Sequence, residues 1–481
     1  MLFIGLKIKG TLRTTGRKVV IFYSFVFVSG YFANQISMDA AFPSRKQQAI
    51  VLGGSLTGLL TARVLSQYYT QVIIIEKDAV HREPEARKGQ PQTRHLHGLL
   101  PGGLHIMSVY FTGLLDEITS YGAKVLDFAE SMNWYCYGGF RKSFPIDIKT
   151  VSISRPLLEH IIRERVLALS NVRLVDNTTA KHLTVDDKQI VTGVVTEEKL
   201  SGRTEALSAD LVIDSTGRGS RTPQWLKEIG YAEIEVSEVK VNVGYTTRMY
   251  KRDPRDPRGE KWIAYTPQAP AETRFGGAFP IEGDKWMVTV GGWHGDHAPA
   301  ENSGYLEFVK SLPNPDIYDI VSKNEPASEF VQYKFPLSIR RHYEKLRRFP
   351  AGLLVLGDAI SSFNPIYAQG MSSASLQVEV LDKMLAENVA EEELAKVFFK
   401  RSKKIIDNIW GLATGEDFRY PLTTGSRPPG IKLINKYVAK MHRATTKDEV
   451  VCGAFLKVMG LLKPPASLFH PRILWKVLRA K

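Results

Sequence analysis

At 481 residues the chain is too long for one simple core, and two or three packed regions are expected. An apolar share of 43% beside 24% charged residues excludes a disordered or fibrous chain. The two cysteines, Cys136 and Cys452, exclude a disulfide framework and a zinc site; no metal is expected, and a reducing, cytoplasmic compartment suits them.

The net charge of +14 is concentrated at the ends. Lys7, Lys9, Arg13, Arg17 and Lys18 come before any acid, and from residue 431 eleven Lys and Arg face only Asp448 and Glu449. Basic ends on a nearly neutral body suggest peripheral contact with an anionic membrane surface; solvated ends that aid solubility are the alternative. The body carries no basic stripe interleaved with aromatics, so no nucleic-acid partner is expected. Residues 1–45 read as an extension outside the fold. Within it, 19–32 is an apolar run shorter than the roughly 20 residues of a spanning helix. Three readings stay open: a signal-anchor, a targeting segment, or sequence upstream of a true start at Met38.

Residues 48–52 (QAIVL) predict a strand that runs into Gly53-Gly54-Ser55-Leu56-Thr57-Gly58. Leu56, Leu59, Leu60 and Val64 then cover one face of a helix, and 71–76 (QVIIIE) has the unbroken apolar pattern of a parallel strand covered on both sides. These pieces make one βαβ unit. Residues 151–169 predict a short strand and a helix opened by Pro156. From 236 the texture changes to alternating, aromatic-rich strands (VNVGYTTRMY, RFGGAFP, WMVTVGGW), an antiparallel sheet inserted into an α/β domain. The α/β texture returns at 352–358 (GLLVLGD), and after 387 the pattern is helical and increasingly basic. The expected regions are therefore 46–235 with 345–385, an inserted sheet at 236–344, and a helical region at 386–481.

A glycine-rich turn between strand and helix brings backbone N–H groups against a pyrophosphate. Gly53 and Gly58 stand at the first and third glycine positions, and Ser55 replaces the second. Glu76, at the end of the next strand, is placed to accept from an adenosine ribose. A tight turn with a chance acid is the plainer alternative. Late in the chain, Gly357-Asp358-Ala359 is followed by Pro365 and by Gln369-Gly370-Met371 at a helix start. A helix start offers free N–H groups and a positive dipole end, which suits an anion; taken alone, Asp358 reads as a helix or turn cap.

With the strand and turn at 210–221 (DLVIDSTGRGSR), these segments resemble, in chain order, the class A flavoprotein monooxygenases of the p-hydroxybenzoate hydroxylase-like superfamily. Residues 89–99 (GQPQTRHLHGL) and 364–372 (NPIYAQGMS) are similar to bacterial FAD-dependent epoxidases and hydroxylases of apolar polyketide or terpenoid substrates. The resemblance covers about 46–480 and includes Trp410, Asp417 to Pro421 and Arg427. It implies a glutathione-reductase-like, Rossmann-type FAD domain with an inserted substrate sheet and a helical C-terminal region. It implies that Gly53, Gly54, Ser55, Gly58 and Glu76 hold the ADP half of FAD, with Arg155, Asp214, Gly217, Gly357 and Asp358 along the phosphates and ribityl chain. Pro365, Gln369, Gly370 and Met371 would flank the flavin ring, with Arg94, His95 and His97 beside it. The implied reaction passes one oxygen of O₂ through a flavin C4a-hydroperoxide to a small apolar substrate. Thr216 replaces an acid tied to FAD and NAD(P)H handling, so the electron donor is NAD(P)H or a separate flavin-reducing partner. A prenyl-chain reductase and a non-catalytic flavin-binding protein are the rivals, and no WxWxIP motif of halogenases is present. Tyr245, Phe275, Trp286 and Trp293 are candidate pocket walls, each equally readable as a core aromatic.

Overall fold

A computed structural model describes residues 46–87 and 89–480 of the chain; the apolar run at 19–32 and Met38 lie outside them. Strand β1 (Lys46–Leu52), helix α1 (Leu56–Leu65) and strand β2 (Tyr69–Ile75) form the expected βαβ unit. Helix α2 (Arg155–Leu167) leads into β3 (Val172–Val175); β4 (Leu211–Asp214) and β5 (Leu353–Val355) follow far along the chain. The five strands pair in parallel in the order β5-β4-β1-β2-β3. Ala49, Ile50, Val51, Val72, Ile73 and Ile74 are fully buried, because α1 and α2 lie on the sheet and α3 (Gly370–Ala386) packs on α1. A strand hidden on both faces has no polar side to show, which is why QVIIIE does not alternate.

A second, larger sheet is built on Val236–Lys251, which pairs antiparallel with Lys285–Gly292 on one side and Val331–Arg341 on the other. Arg274–Ile281 and Trp262–Thr266 continue it. This sheet is not wholly contained in 236–344. Met132–Cys136 joins Trp262–Thr266 in parallel, so the sheet is mixed, and Ser361–Ser362 adds to its other edge. Helices α4 (Glu391–Asp417), α5 (Ile431–Ala444), α6 (Glu449–Met459) and α7 (Pro471–Arg479) follow. Phe455, Ile473 and Val477 pack with Phe128 and Trp262, which ties the C-terminal helices to the middle of the chain. Among the described residues no helix is long and apolar enough to cross a membrane, and no group of His, Cys, Asp and Glu is placed to hold a metal ion.

Candidate FAD-binding site

The turn after β1 closes by backbone contact. Gly53 has φ +100°, and a Cβ on Gly58 would lie 1.8 Å from the Gly53 carbonyl oxygen, so only glycine lets α1 start this close to the strand. Ser55 precedes α1, and its hydroxyl donates to Glu159 of α2 at 2.8 Å instead of capping the helix. The first-turn amides of α1 have no partner within the helix. Glu76 accepts from the Gly54 amide at 2.7 Å and from the Asp78 amide at 2.9 Å. Its carboxylate also meets Arg87 at 3.0 Å. Arg87 in turn bonds Glu159 and donates to the Gly54 carbonyl at 3.1 Å, and Arg155 donates to both Ser55 and Glu159. Burial alone would raise the Glu159 carboxyl, but Arg155 and Arg87 hold it below its ordinary range.

A cavity of about 470 Å³ runs from this network across the C-terminal ends of β1, β2 and β4. Glu76 and Lys77 line one end; Gly53, Ser55 and Arg155 come next, then Gly217 and Asp358, and finally Pro365, Gly370, Met371 and His97. Open sheets of this kind bind ligands in the crevice outside the strand ends. Gly357 has φ +66°, with Thr57 2.9 Å from the position its Cβ would take, so it seats the Asp358 turn against α1. Among the described residues no protein donor bonds the Asp358 carboxylate. Burial pushes it up to about 6, against the pull of Arg155 and Arg218.

At the far end, Pro365–Tyr367 forms a single 3-10 turn and Ala368 takes φ +55°, a strained backbone that leads straight to α3. Gln369, 1% exposed, leaves both its amide oxygen and its amide nitrogen without a partner. The loop is held from behind by Asp417 at the end of α4. One of its oxygens accepts from Asn364 at 2.9 Å, Tyr367 at 2.8 Å and Trp293 at 3.1 Å. Burial raises the Asp417 carboxyl to about 6 despite these three donors.

His97 lines the cavity, and its Nδ1 donates to the His95 carbonyl at 2.8 Å, which leaves Nε2 as a free acceptor. Burial, helped by the Arg155 charge, lowers its pKa to about 4, so it is neutral at pH 7. His95 is buried among rings, 4.8 Å from Tyr245 and 5.8 Å from Tyr333, and burial lowers it to about 3. Its Nδ1 shares a hydrogen bond with Thr247 at 2.7 Å, and its Nε2 has no hydrogen-bond partner.

Several of the expected contacts lie off the cavity wall. Arg94 ends the turn Pro91–Arg94 with its side chain exposed and is absent from the cavity wall. Asp214 is fully buried and holds the turn after β4, accepting from Thr216 at 2.8 and 2.6 Å, from Thr222 at 2.6 Å and from Ser220. It shapes Thr216 and Gly217, which do line the cavity, without reaching it. Gly54, Gly58 and Gly357 likewise act through the turns they allow. Trp286 packs with Tyr250, Val288 and Tyr305 in a separate core cluster, while Tyr245, Phe275 and Trp293 form a closed aromatic cluster beside His95. None of the four lines the cavity; Tyr333 and Phe335 do, and alternation along Val331–Arg341 puts them on one face. Glu159 was legible as an acid four residues after Arg155 on one helix, whereas Arg87 sits in an irregular loop with no such signal.

Together these features define a flavoprotein crevice: an acid at one end, open helix starts, a cation, an unbonded carboxylate in the middle, and a second helix start with an unsatisfied amide. The chain belongs to the FAD binding domain family, whose model matches residues 46–397. It is 31% identical over 438 residues to protein Rv3254 of Mycobacterium tuberculosis, covering 87% of this chain and 90% of that one. Its fold is similar to that of PqsL from Pseudomonas aeruginosa, a "probable FAD-dependent monooxygenase" (TM-score 0.57, 19% identity, 77% of this chain and 97% of that one). It is also similar to the myxobacterial chondrochloren halogenase CndH (TM-score 0.60, 14% identity, 90% and 97%). A flavoprotein/dehydrogenase from Cytophaga hutchinsonii matches with a TM-score of 0.61 at 14% identity over 86% and 92%.

The residues present fit FAD. Gly53, Ser55 and Glu76 would hold the ADP half, Arg155 the phosphates, Asp358 the ribityl hydroxyls, and the segment from Pro365 to Met371 the ring. The position of Asp358 gives a pH-dependent expectation. Its pKa is raised in the free protein, and hydroxyl donors favour the charged form, so binding lowers it. FAD affinity should therefore rise with pH between the bound and free values and flatten above 6, with a slope of at most about tenfold per unit. Asp358→Ala should abolish that slope and weaken binding at pH 7 by about 10- to 150-fold, the worth of a hydrogen bond to a charged acceptor. Titration of apoprotein with FAD by flavin fluorescence measures both; an unchanged Kd and slope would place Asp358 away from the ligand.

Proposed function

We propose that this chain is an FAD-dependent monooxygenase that inserts one oxygen atom of O₂ into an apolar substrate, by hydroxylation or epoxidation. The observation that carries this reading is the cluster of apolar and aromatic side chains at the ring end of the cleft, beside which Arg218 lies over the Phe335 ring at 4.8 Å. Tyr333, Phe335, Phe363 and Met371 bound it, and the two histidines nearest to it are held neutral. Reduced FAD, when bound, supplies the electrons and the activation of O₂. The chain's own residues do the rest. The first-turn amides of α3 would present a positive dipole end to a negatively charged ring edge. The His97 Nε2 lone pair can accept a hydrogen bond at the ring end, and the aromatic walls exclude water that would otherwise quench a reactive oxygen donor. Thr216, bonded to Asp214, leaves no acid at the turn it forms, which supports supply of electrons by a reductase partner as well as by NAD(P)H.

The test is isotopic. Purified holoprotein is given candidate apolar alkenes or polycyclic rings under oxygen-18 gas, in one arm with NAD(P)H and in the other with chemically reduced flavin or a flavin reductase. One labelled oxygen per product molecule is expected. Product that gains two hydrogens and no label overturns the reading in favour of a reductase. Flavin that reoxidises and leaves every substrate unchanged in both arms overturns it in favour of a flavin-binding role.

A further inference from the structure

Helices α5 and α7 carry large apolar side chains on the outside of the molecule. Seven of the thirteen exposed large apolar residues in the described chain lie after residue 430, among them Leu433 at 74% and Trp475 and Leu478 at 54% each. A helix of a globular protein normally turns such residues inward. Helix α7 does so with Ile473 and Val477, which are buried, while Trp475 and Leu478 project elsewhere. On α5, Met441 and Ala444 pack inward, but Leu433 and Ile434 do not. The two helices touch. The Tyr437 ring of α5 stacks on Phe469 at 4.9 Å, and its hydroxyl donates to the Leu468 carbonyl at 2.6 Å. The apolar side chains of α5 therefore run on into the segment that opens α7.

Cations surround these side chains. Lys432, Lys436 and Lys440 on α5 and Arg472 on α7 are exposed and enter no ion pair among the described residues. Arg479 lies over the Trp475 ring at 4.0 Å. Of the two acidic side chains after residue 430, Asp448 is bonded to Lys476, and Glu449 enters no ion pair among the described residues.

We propose that this face of α5 and α7 docks on an anionic lipid bilayer, with Leu433, Ile434, Trp475 and Leu478 entering the headgroup boundary and the lysines and arginines meeting lipid phosphates. Charge complementarity selects that partner. A second copy would bring one strongly cationic face against another, whereas tryptophan, leucine and unpaired cations on short helices suit a helix lying in the membrane interface. With 14 and 9 residues the helices are too short to span a bilayer. The proposal does not depend on the reaction, since it uses none of the cavity residues.

Full-length holoprotein is sedimented with vesicles of phosphatidylcholine alone and of phosphatidylcholine with phosphatidylglycerol. Binding is expected only to the anionic vesicles and should fall in high salt. Replacing Lys432, Lys436 and Lys440 together by Gln should weaken it on the order of 100-fold, at about fivefold per cation. Leu433→Glu with Trp475→Glu should abolish it, with flavin content and Tm unchanged. Acyl-chain-brominated lipid should quench tryptophan fluorescence in the parent and much less in Trp475→Phe. Equal binding to neutral vesicles, or binding that survives both sets of substitutions, would overturn the proposal. A concentration-dependent dimer that Leu433→Glu dissolves would overturn it in favour of a second copy.

Discussion

Glu159→Ala is expected to destabilise the apoprotein strongly and the FAD-loaded protein less. Glu159 is 4% exposed and is the common partner of Arg87, Arg155 and Ser55. Removing it leaves Arg155 without its carboxylate and Arg87 with Glu76 alone, 3.0 Å away. Removing one partner of a buried ion pair costs about 3–5 kcal/mol, because an uncompensated charge stays in a poorly solvated site. For a domain of this size that corresponds to a fall in Tm of about 3–5 °C. FAD brings phosphate charge to the same crevice, so saturating FAD should recover part of the loss. Differential scanning calorimetry of apo and holo forms gives both numbers. An equal fall in the two forms would mean that the phosphates do not approach these guanidinium groups, and no fall would mean that the network contributes nothing to the fold.

The same network shows what the sequence makes legible and where it stops. The βαβ unit was readable because each signal is local. Leu56, Leu59, Leu60 and Val64 are all buried, and the strands fall within two residues of the expected bounds. Helix α2 was equally readable, since Ser154 accepts from the Leu157 amide and Pro156 sits in the first turn. Periodicity found three strands of the inserted sheet too, but it cannot say what a distant strand pairs with. The parallel docking of Met132–Cys136 on Trp262–Thr266 is therefore visible only in three dimensions. At the site, the residues that line the cavity through backbone or turn geometry were placed by their glycines. Of the side chains that act from behind, Arg87 in its irregular loop has no local pattern to betray it, and Asp417, named in the resembling tail, gives no sign of the loop some fifty residues away that it holds. Arg94 lies exposed and off the cavity wall, since a motif places a residue in a segment but the turn decides which way it points.

Two glycine-to-alanine changes should have effects of opposite sign, and the larger tests the crevice itself. A methyl group on Gly58 would lie 1.8 Å from the Gly53 carbonyl oxygen and 3.0 Å from both the Gly53 carbonyl carbon and the Ser215 hydroxyl. The nearest obstacle is backbone, which cannot rotate away as a flexible side chain would. Relief requires moving the start of α1 off the turn by about 1 Å or more, against residues 49–52 of β1, which are buried and close-packed. That displacement separates Ser55 from Glu159 and splays the amides that would face the pyrophosphate. Overpacking of this kind costs about 1–3 kcal/mol and sometimes more, and the lost geometry falls on the ligand as well. Gly58→Ala is therefore expected to lower Tm and to weaken FAD binding on the order of 100-fold or more, which is about 3 kcal/mol. Gly411, on α4, has nothing within 4 Å of the position its Cβ would take and is exposed. There alanine only restricts the unfolded chain and favours the helix, so Gly411→Ala should raise stability by up to about 1 kcal/mol with FAD affinity unchanged. Measuring Tm and flavin content in both variants separates a general intolerance of α1 from a specific one. If Gly58→Ala retains its flavin and its Tm, the turn is looser than its geometry shows, and the assignment of the ADP half of FAD to this crevice falls with it.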